Sequence, residues 1–435
     1  MNAHPAIERV TARQIFDSRG RPTLEADVRL ADGTLGRASV PSGASTGSHE
    51  AHELRDGDPT DFAGLSVHRA VAAVDDEISP ALRGRDAADQ SGVDATLREL
   101  DGTADLSRLG ANAVLGTSLA LCRAYALSAR QPLYRRIAEL AGVHTPVLPM
   151  PMVNILSGGL HAGRGMDVQD FLVVPTAATT IGEALHQVAR VRSSATEVLG
   201  ARGLPTLLAD EGGLSPGCDS SRAALELMVE VIETAGLKPG KDALIAIDVA
   251  AHSLVAPDGR YVLAREGVVR TGTEMIDMID GWVRDFPILS VEDGLDEDDW
   301  AGWAALTTRV GERATLIGDD LFATDAERLQ HGIDVGAANG ILIKVNQNGT
   351  LSGTLEVVAR ARTAGYVPVI SARFGETEDD FLADLAVGTG AGQIKIGSLR
   401  CSDRLAKYNQ LLRIAEDERV PFAGSPTSRV PVAPS

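Results

Sequence analysis

LIAIDVA (residues 244–250), ILSVEDG (288–294), TLIGDDL (315–321) and GILIKVN (340–346) are four short apolar runs that each reach a charged residue at their end. Short apolar runs separated by helical patterns read as buried parallel strands. In a (β/α)8 barrel the carboxyl ends of the strands converge on one face. Asp248, Glu292, Asp319 and Lys344 are therefore expected to meet there, three carboxylates and an amine in one pocket. Any one of these acids, taken alone, reads as the cap of the helix that follows. Four charged strand ends in succession argue against that for the set.

Composition sharpens the point, because only five of the 41 Lys and Arg residues are lysine: Lys238, Lys241, Lys344, Lys395 and Lys407. Arginine serves as well as lysine on a solvated face but cannot give up its proton. A lysine kept at a strand end therefore suggests an amine that must deprotonate, and Lys344 and Lys395 both stand at such ends.

The chain of 435 residues has room for a barrel of about 250 residues and a second domain, and with 44% hydrophobic residues a sizeable core is expected. A net charge of −19 without any basic run argues against nucleic acid or an anionic membrane surface as partner. An anionic substrate then needs local cations or metal. No stretch approaches the length of a membrane span, and MNAHPAIERV lacks the apolar centre of a secretory signal, so a cytoplasmic location is expected. Cys122, Cys218 and Cys401 are scattered and lack CxxC spacing, which suggests neither a disulfide framework nor a thiolate metal site.

Residues 6–40 alternate apolar and polar positions around two polar turns, the pattern of a three-stranded antiparallel meander. PSGASTGSHE follows as a loop of small residues, without the Gly-Lys-Ser/Thr ending of a phosphate loop. From Ser66 to about Leu140 the apolar spacing is helical, and the domain boundary is placed near Thr145. Residues 1–145 thus form an α+β capping domain and 146–435 the barrel. Beyond the boundary VNILSGG, DFLVVP, PTLLADEGG, the four opening runs, VPVISAR and QIKIG read as barrel strands. The first two are too close for a crossover helix and are expected to form an antiparallel hairpin, making an irregular barrel in an α/β chain.

DEGG sets Asp210 and Glu211 beside glycines that allow close backbone approach to a ligand. His161 lies in a glycine-rich loop, as a ligand contact or an exposed histidine. Asp170 either caps locally or serves the site, and Arg373 after VISA has the fork that holds a phosphate or carboxylate. The oxygen-only trio Asp248, Glu292 and Asp319 suits a hard cation such as Mg²⁺. A lysine base beside it suggests proton abstraction next to a carboxylate.

DSRGRPT, PSGASTG, GANAVLG, DEGG, EDGLDEDDW, GDDLFAT, LIKVNQ, GETEDD, AVGTGAGQIK and QIKIGSLRCSDRLAKYNQLLRI stand in order along nearly the whole chain, and in these motifs it resembles the enolases. The resemblance implies Mg²⁺, two ions per site, the first bound by Asp248, Glu292 and Asp319 and the second by Ser45. It implies Lys344 as the base at C2, Lys395 as the stabiliser of the enolate and Glu211 as the acid at the C3 hydroxyl. A lysine base working with Mg²⁺ is the pattern of that superfamily. His161 and Arg373 match residues at the phosphoryl end, Asp170 matches a glutamate, and Gln169 and Ser371 stand beside them in the same motifs. A homodimer is the family expectation.

The departures cluster where enolases read Ser-His-Arg-Ser-Gly and this chain has Ser371, Ala372, Arg373, Phe374 and Gly375. Two polar side chains near the phosphoryl pocket are gone, each worth about 1–3 kcal/mol as a charged hydrogen bond. Milder changes put Asp170 for glutamate, Ser157 for asparagine and Asn348 for isoleucine. With the catalytic set kept, the chain reads as a dehydratase whose small anionic substrate differs from 2-phosphoglycerate around phosphorus. One enolase-like activity fits, the conversion of 2-phosphonoformylglycerate to carboxyphosphonoenolpyruvate in phosphonate antibiotic pathways. Two alternatives stay open: a housekeeping enolase, and a catalytically dead enolase-like binding protein.

Overall fold

The computed structural model describes residues 5–43, 47–417 and 419–425. Strands β1 (Ile7–Phe16), β2 (Pro22–Leu30) and β3 (Leu35–Ser39) form the antiparallel meander, in the order β1-β2-β3. Leu24, Ala26, Val28 and Leu30 alternate along β2 and are fully buried, as a sheet with one covered face requires. The covering element is the helix Ala111–Ser128, whose buried residues run around most of its circumference. It is wedged between the sheet and the rest of the molecule, so it has almost no solvated stripe.

Eight strands close the barrel. They are β4 (Met150–Ser157), β5 (Asp170–Val174), β6 (Leu244–Asp248), then, after a small hairpin of β7 (Tyr261–Leu263) and β8 (Val268–Arg270), β9 (Ile288–Glu292), β10 (Thr315–Gly318), β11 (Gly340–Ile343), β12 (Val367–Ser371) and β13 (Gln393–Gly397). Strand β5 runs antiparallel to both β4 and β6, whereas the other barrel pairs are parallel. The expected hairpin is therefore present. Two helices, Ile181–Ala201 and Ser221–Thr234, fill the long connection from β5 to β6.

One expected strand is not there. PTLLADEGG forms no strand; it crosses the barrel mouth as a loop, with Leu207 72% and Leu208 43% exposed and a single bridge from Leu208 to Leu214. Eight other strands already close the ring, and Leu214 instead laces onto the end of β4, exchanging hydrogen bonds of 2.7 and 2.8 Å with Ser157 and Ile155. Short apolar runs cannot be told from such an excursion by pattern alone.

The register decides what meets at the mouth. Ser157 pairs with Asp170, Asp170 with Asp248, and Asp248 with Glu292, so four polar side chains from four strands share one rung. Below them Met150, Met152, Leu172, Val174, Leu244, Ala246, Leu289, Ile317, Leu342 and Val369 fill the barrel interior. That plug leaves only the mouth open to a ligand.

The capping part and the barrel share polar contacts as well as core. Arg123 grips Asp379 at 2.9 and 3.0 Å and Asp380 at 2.9 Å. Asp94 accepts from the backbone and hydroxyl of Ser352 at 2.9 and 2.7 Å. Arg98 donates to Asn348 Oδ1 at 2.7 Å, which gives the asparagine at that position a physical purpose.

Candidate active site at the barrel mouth

A cleft opens at the mouth, lined among others by His161, Glu211, Asp319, Lys344, Arg373 and Lys395. Lys395, on β13, donates from Nζ to Asp248 at 2.9 Å and to both oxygens of Glu292 at 2.8 and 2.7 Å. Lys344, at the end of β11, makes a close ion pair with Asp319 Oδ2. Gln347 donates to the other oxygen of Asp319 at 3.1 Å. Gln169 supports Asp248 at 3.2 Å. The four charged strand ends anticipated from sequence thus converge, along with Lys395.

The charges are strongly perturbed. Burial holds the Glu292 carboxyl well above the usual range, and the neighbouring Asp248 pushes it the same way. Burial also works against the charge of Asp248, yet the Lys395 ammonium outweighs it and lowers that carboxyl. Both lysines would lose affinity for their protons through burial alone; Asp319 reverses this for Lys344, and Asp248 with Glu292 reverses it more strongly for Lys395. Such perturbations are characteristic of functional clefts.

Two acids were not singled out from the sequence. Asp293 turns its carboxylate to the backbone N–H groups of Asp319 and Asp320, at 2.8 and 3.0 Å. Burial, then Asp320 and Asp319, raise it well above the usual range. Asp320 itself is pushed up to about 7 by burial and by Asp319. The signal lies in the doublets Glu292-Asp293 and Asp319-Asp320, in which the strand-end pattern accounts for only the first acid. Five acids and three cations line the cleft. Oxygen atoms of Asp293, Asp319 and Asp320 lie within 4.8 Å of one another. An all-oxygen, electron-rich cluster is a fitting seat for a hard divalent cation; of the expected trio it holds Asp319, whereas Asp248 and Glu292 lie outside it and face Lys395.

Across the mouth His161 Nδ1 lies 2.9 Å from Asp170 Oδ2, and Asp170 Oδ1 accepts from Ser157 at 2.9 Å and Asn154 at 2.5 Å. Asp170 is shorter than a glutamate by one methylene, and the hydroxyl of Ser157 on the adjacent strand reaches it directly. Donor and acceptor atoms of His161, Asp170 and Glu211 lie within 4.8 Å of one another. Glu211 comes from the excursion rather than from a strand end, and buried Arg404 stands 3.9 Å from it.

The third wall is the turn after β12. Arg373 forks onto Glu50 at 2.7 and 3.2 Å and donates to Asn346 at 3.1 Å. Ala372 is 7% exposed, and the hydroxyl of Ser371, which also lines the cleft, donates to the Ala372 carbonyl at 3.0 Å. Gly375 exchanges backbone bonds of 2.8 and 2.9 Å with Ser42, and a Cβ on it would lie 2.3 Å from Arg19 Nη2. Only glycine allows that approach. Ser45 lies outside the described residues.

Two family models match the chain: the enolase C-terminal TIM barrel domain over residues 145–429 and the enolase N-terminal domain over residues 7–137. The chain belongs to the enolase family. Membership makes this enolase-family chain an enzyme of the lyase or dehydratase kind, in a superfamily that works with Mg²⁺. Among its described residues, no helix is long and apolar enough to cross a membrane.

Proposed function

We propose that this protein is a Mg²⁺-dependent hydro-lyase that converts 2-phosphonoformylglycerate to carboxyphosphonoenolpyruvate. The observation that carries the reading is the pairing of an intact charged cluster, Lys344 with Asp319 and Lys395 with Asp248 and Glu292, with an altered turn at Ala372 and Phe374. The chemistry is kept and the recognition changed. In this reading Lys344 takes the C2 proton, and the electron pair moves toward the substrate carboxylate, beside the ammonium of Lys395. The C3–O bond then breaks, and the hydroxyl leaves as water with a proton from Glu211.

Mg²⁺ held by Asp248, Glu292 and Asp319, with a second ion near Ser45, would supply Lewis-acid stabilisation of the charge that builds on that carboxylate. Lys344 can serve as base only when it is relieved of the Asp319 charge that holds its proton. Engagement of Asp319 elsewhere achieves that. His161 and Arg373 bind the phosphorus-bearing end, and the missing side chain at Ala372 leaves room for the extra carboxylate. The protomer is proposed to act as a homodimer in the cytoplasm.

The purified protein with Mg²⁺ is expected to turn over 2-phosphonoformylglycerate well and 2-phosphoglycerate poorly. Ala372→His combined with Phe374→Ser should move the ratio of the two kcat/KM values toward 2-phosphoglycerate by about tenfold, the equivalent of ~1.4 kcal/mol. If the unmodified protein handles 2-phosphoglycerate with a kcat/KM no lower than for the phosphonate, the housekeeping reading replaces this one.

A further inference from the structure

Phe374 takes the place of a small hydroxylated residue, and nothing in the reaction calls for a benzyl ring. Its neighbours give it a task. The His161 imidazole stacks on the ring with centroids 4.5 Å apart and planes inclined by 25°. The Arg19 guanidinium lies over the same ring at 5.6 Å and is itself anchored on Asp17 by bonds of 2.9 and 2.7 Å. The turn that carries Phe374 is fixed from behind, since Arg404 donates to the carbonyls of Arg373 and Phe374, each at 2.7 Å. The ring is therefore a rigid wall.

His161 is not rigid by itself. It sits on a single 3-10 turn, Gly159–Ala162, within the glycine-rich segment GGLHAGRGM. The Asp170 carboxylate fixes one ring nitrogen, but one hydrogen bond leaves an imidazole free to swing about it. A flat partner against its face removes that freedom.

We propose that Phe374 is a positioning residue for His161, holding the imidazole in one plane with Nδ1 on Asp170 and Nε2 left for the anionic end of the substrate. The role rests on the proposed reading of the cleft only for what Nε2 meets; the clamp itself is a property of the free protein. Asp170 more than offsets the effect of burial on His161 and raises its pKa, so the stacked ring gains cation–π attraction when protonated. The hydroxyl lost from this position is thereby replaced by a better-placed imidazole.

The test is nitrogen-15 NMR of histidine-labelled protein without substrate. The wild type is expected to show a hydrogen-bonded Nδ1 proton, assigned by its loss in His161→Gln. Phe374→Leu, with Phe374→Met as the alternative if it folds poorly, should broaden or abolish that signal, and Phe374→Tyr should keep it. In turnover, Phe374→Leu should lower kcat/KM by about tenfold and Phe374→Tyr should restore it to within about twofold. An unchanged His161 signal in a folded Phe374→Leu or Phe374→Met variant overturns the clamp. A signal lost as expected in a protein that turns over 2-phosphoglycerate, and not the phosphonate, leaves the clamp standing and overturns the substrate reading instead.

Discussion

The chemistry turns on one residue, Lys344, and on its ion pair with Asp319. Asp319 keeps the amine protonated in the resting protein, so its proton affinity is set by how Asp319 is engaged. Lys344→Arg keeps the positive charge but offers no base. Exchange of the substrate C2 proton with deuterated solvent should then fall by about 10³-fold, in line with the loss of a general base. The same exchange should stop in unmodified protein treated with a chelator and return with Mg²⁺. Exchange at the original rate in Lys344→Arg would transfer the role to another group. Lys344, Lys395 and the three carboxylates were legible because strand ends converge by geometry, and each is one residue type at the end of one run. Asp293, Glu50 and Arg404 were not legible, because each acts through a backbone group or a partner brought from far along the chain.

At the scale of elements, the helix Phe381–Thr389 shows how capping part and barrel are joined. Gly388 lets it approach the helix Leu133–Leu140 so closely that a Cβ there would lie 2.6 Å from the Tyr134 carbonyl. At its start Asp384 is buried and accepts from the Tyr134 N–H at 3.0 Å and from Gln410 at 2.9 Å. Burial, and then the charge of Asp380, push its carboxyl up to about 7. A carboxyl raised in the folded state favours folding fully below its unfolded pKa of 3.8, and this contribution is lost as pH rises through about 7. Asp384→Asn removes that titration and keeps an acceptor for Tyr134, while the Gln410 amide can turn to receive the new donor. Between pH 5 and pH 8 the wild type should lose about 1–3 kcal/mol more stability than the variant, measured by denaturant unfolding at each pH. Equal losses would assign the burial no energetic weight. The meander and the hairpin were readable from alternation and spacing, whereas PTLLADEGG misled because an apolar run over a mouth looks like one in a wall.

For the molecule as a whole, the ion pairs between capping part and barrel predict a single cooperative unit. All three tryptophans, Trp282, Trp300 and Trp303, belong to the barrel part, so their fluorescence reports it alone. Hydrogen exchange in the helix Ala111–Ser128 reports the capping part. The two midpoints should coincide, and Arg123→Ala should lower both together by ~2 kcal/mol, since it leaves Asp379 without its main partner. Separate midpoints would mean two units that fold independently. The reversed strand β5 has a further consequence for how such a protein changes over time. Because it runs against its neighbours, its starting residue, Asp170, stands at the mouth end of the barrel, level with Ser157 and Asp248, and the connection from β4 to β5 lies over the mouth. That connection carries only the single 3-10 turn Gly159–Ala162, so an inserted or deleted residue there would reshape the pocket without turning a long helix against the barrel. The pocket can thus change shape at this connection while the shell of long helices stays where it is.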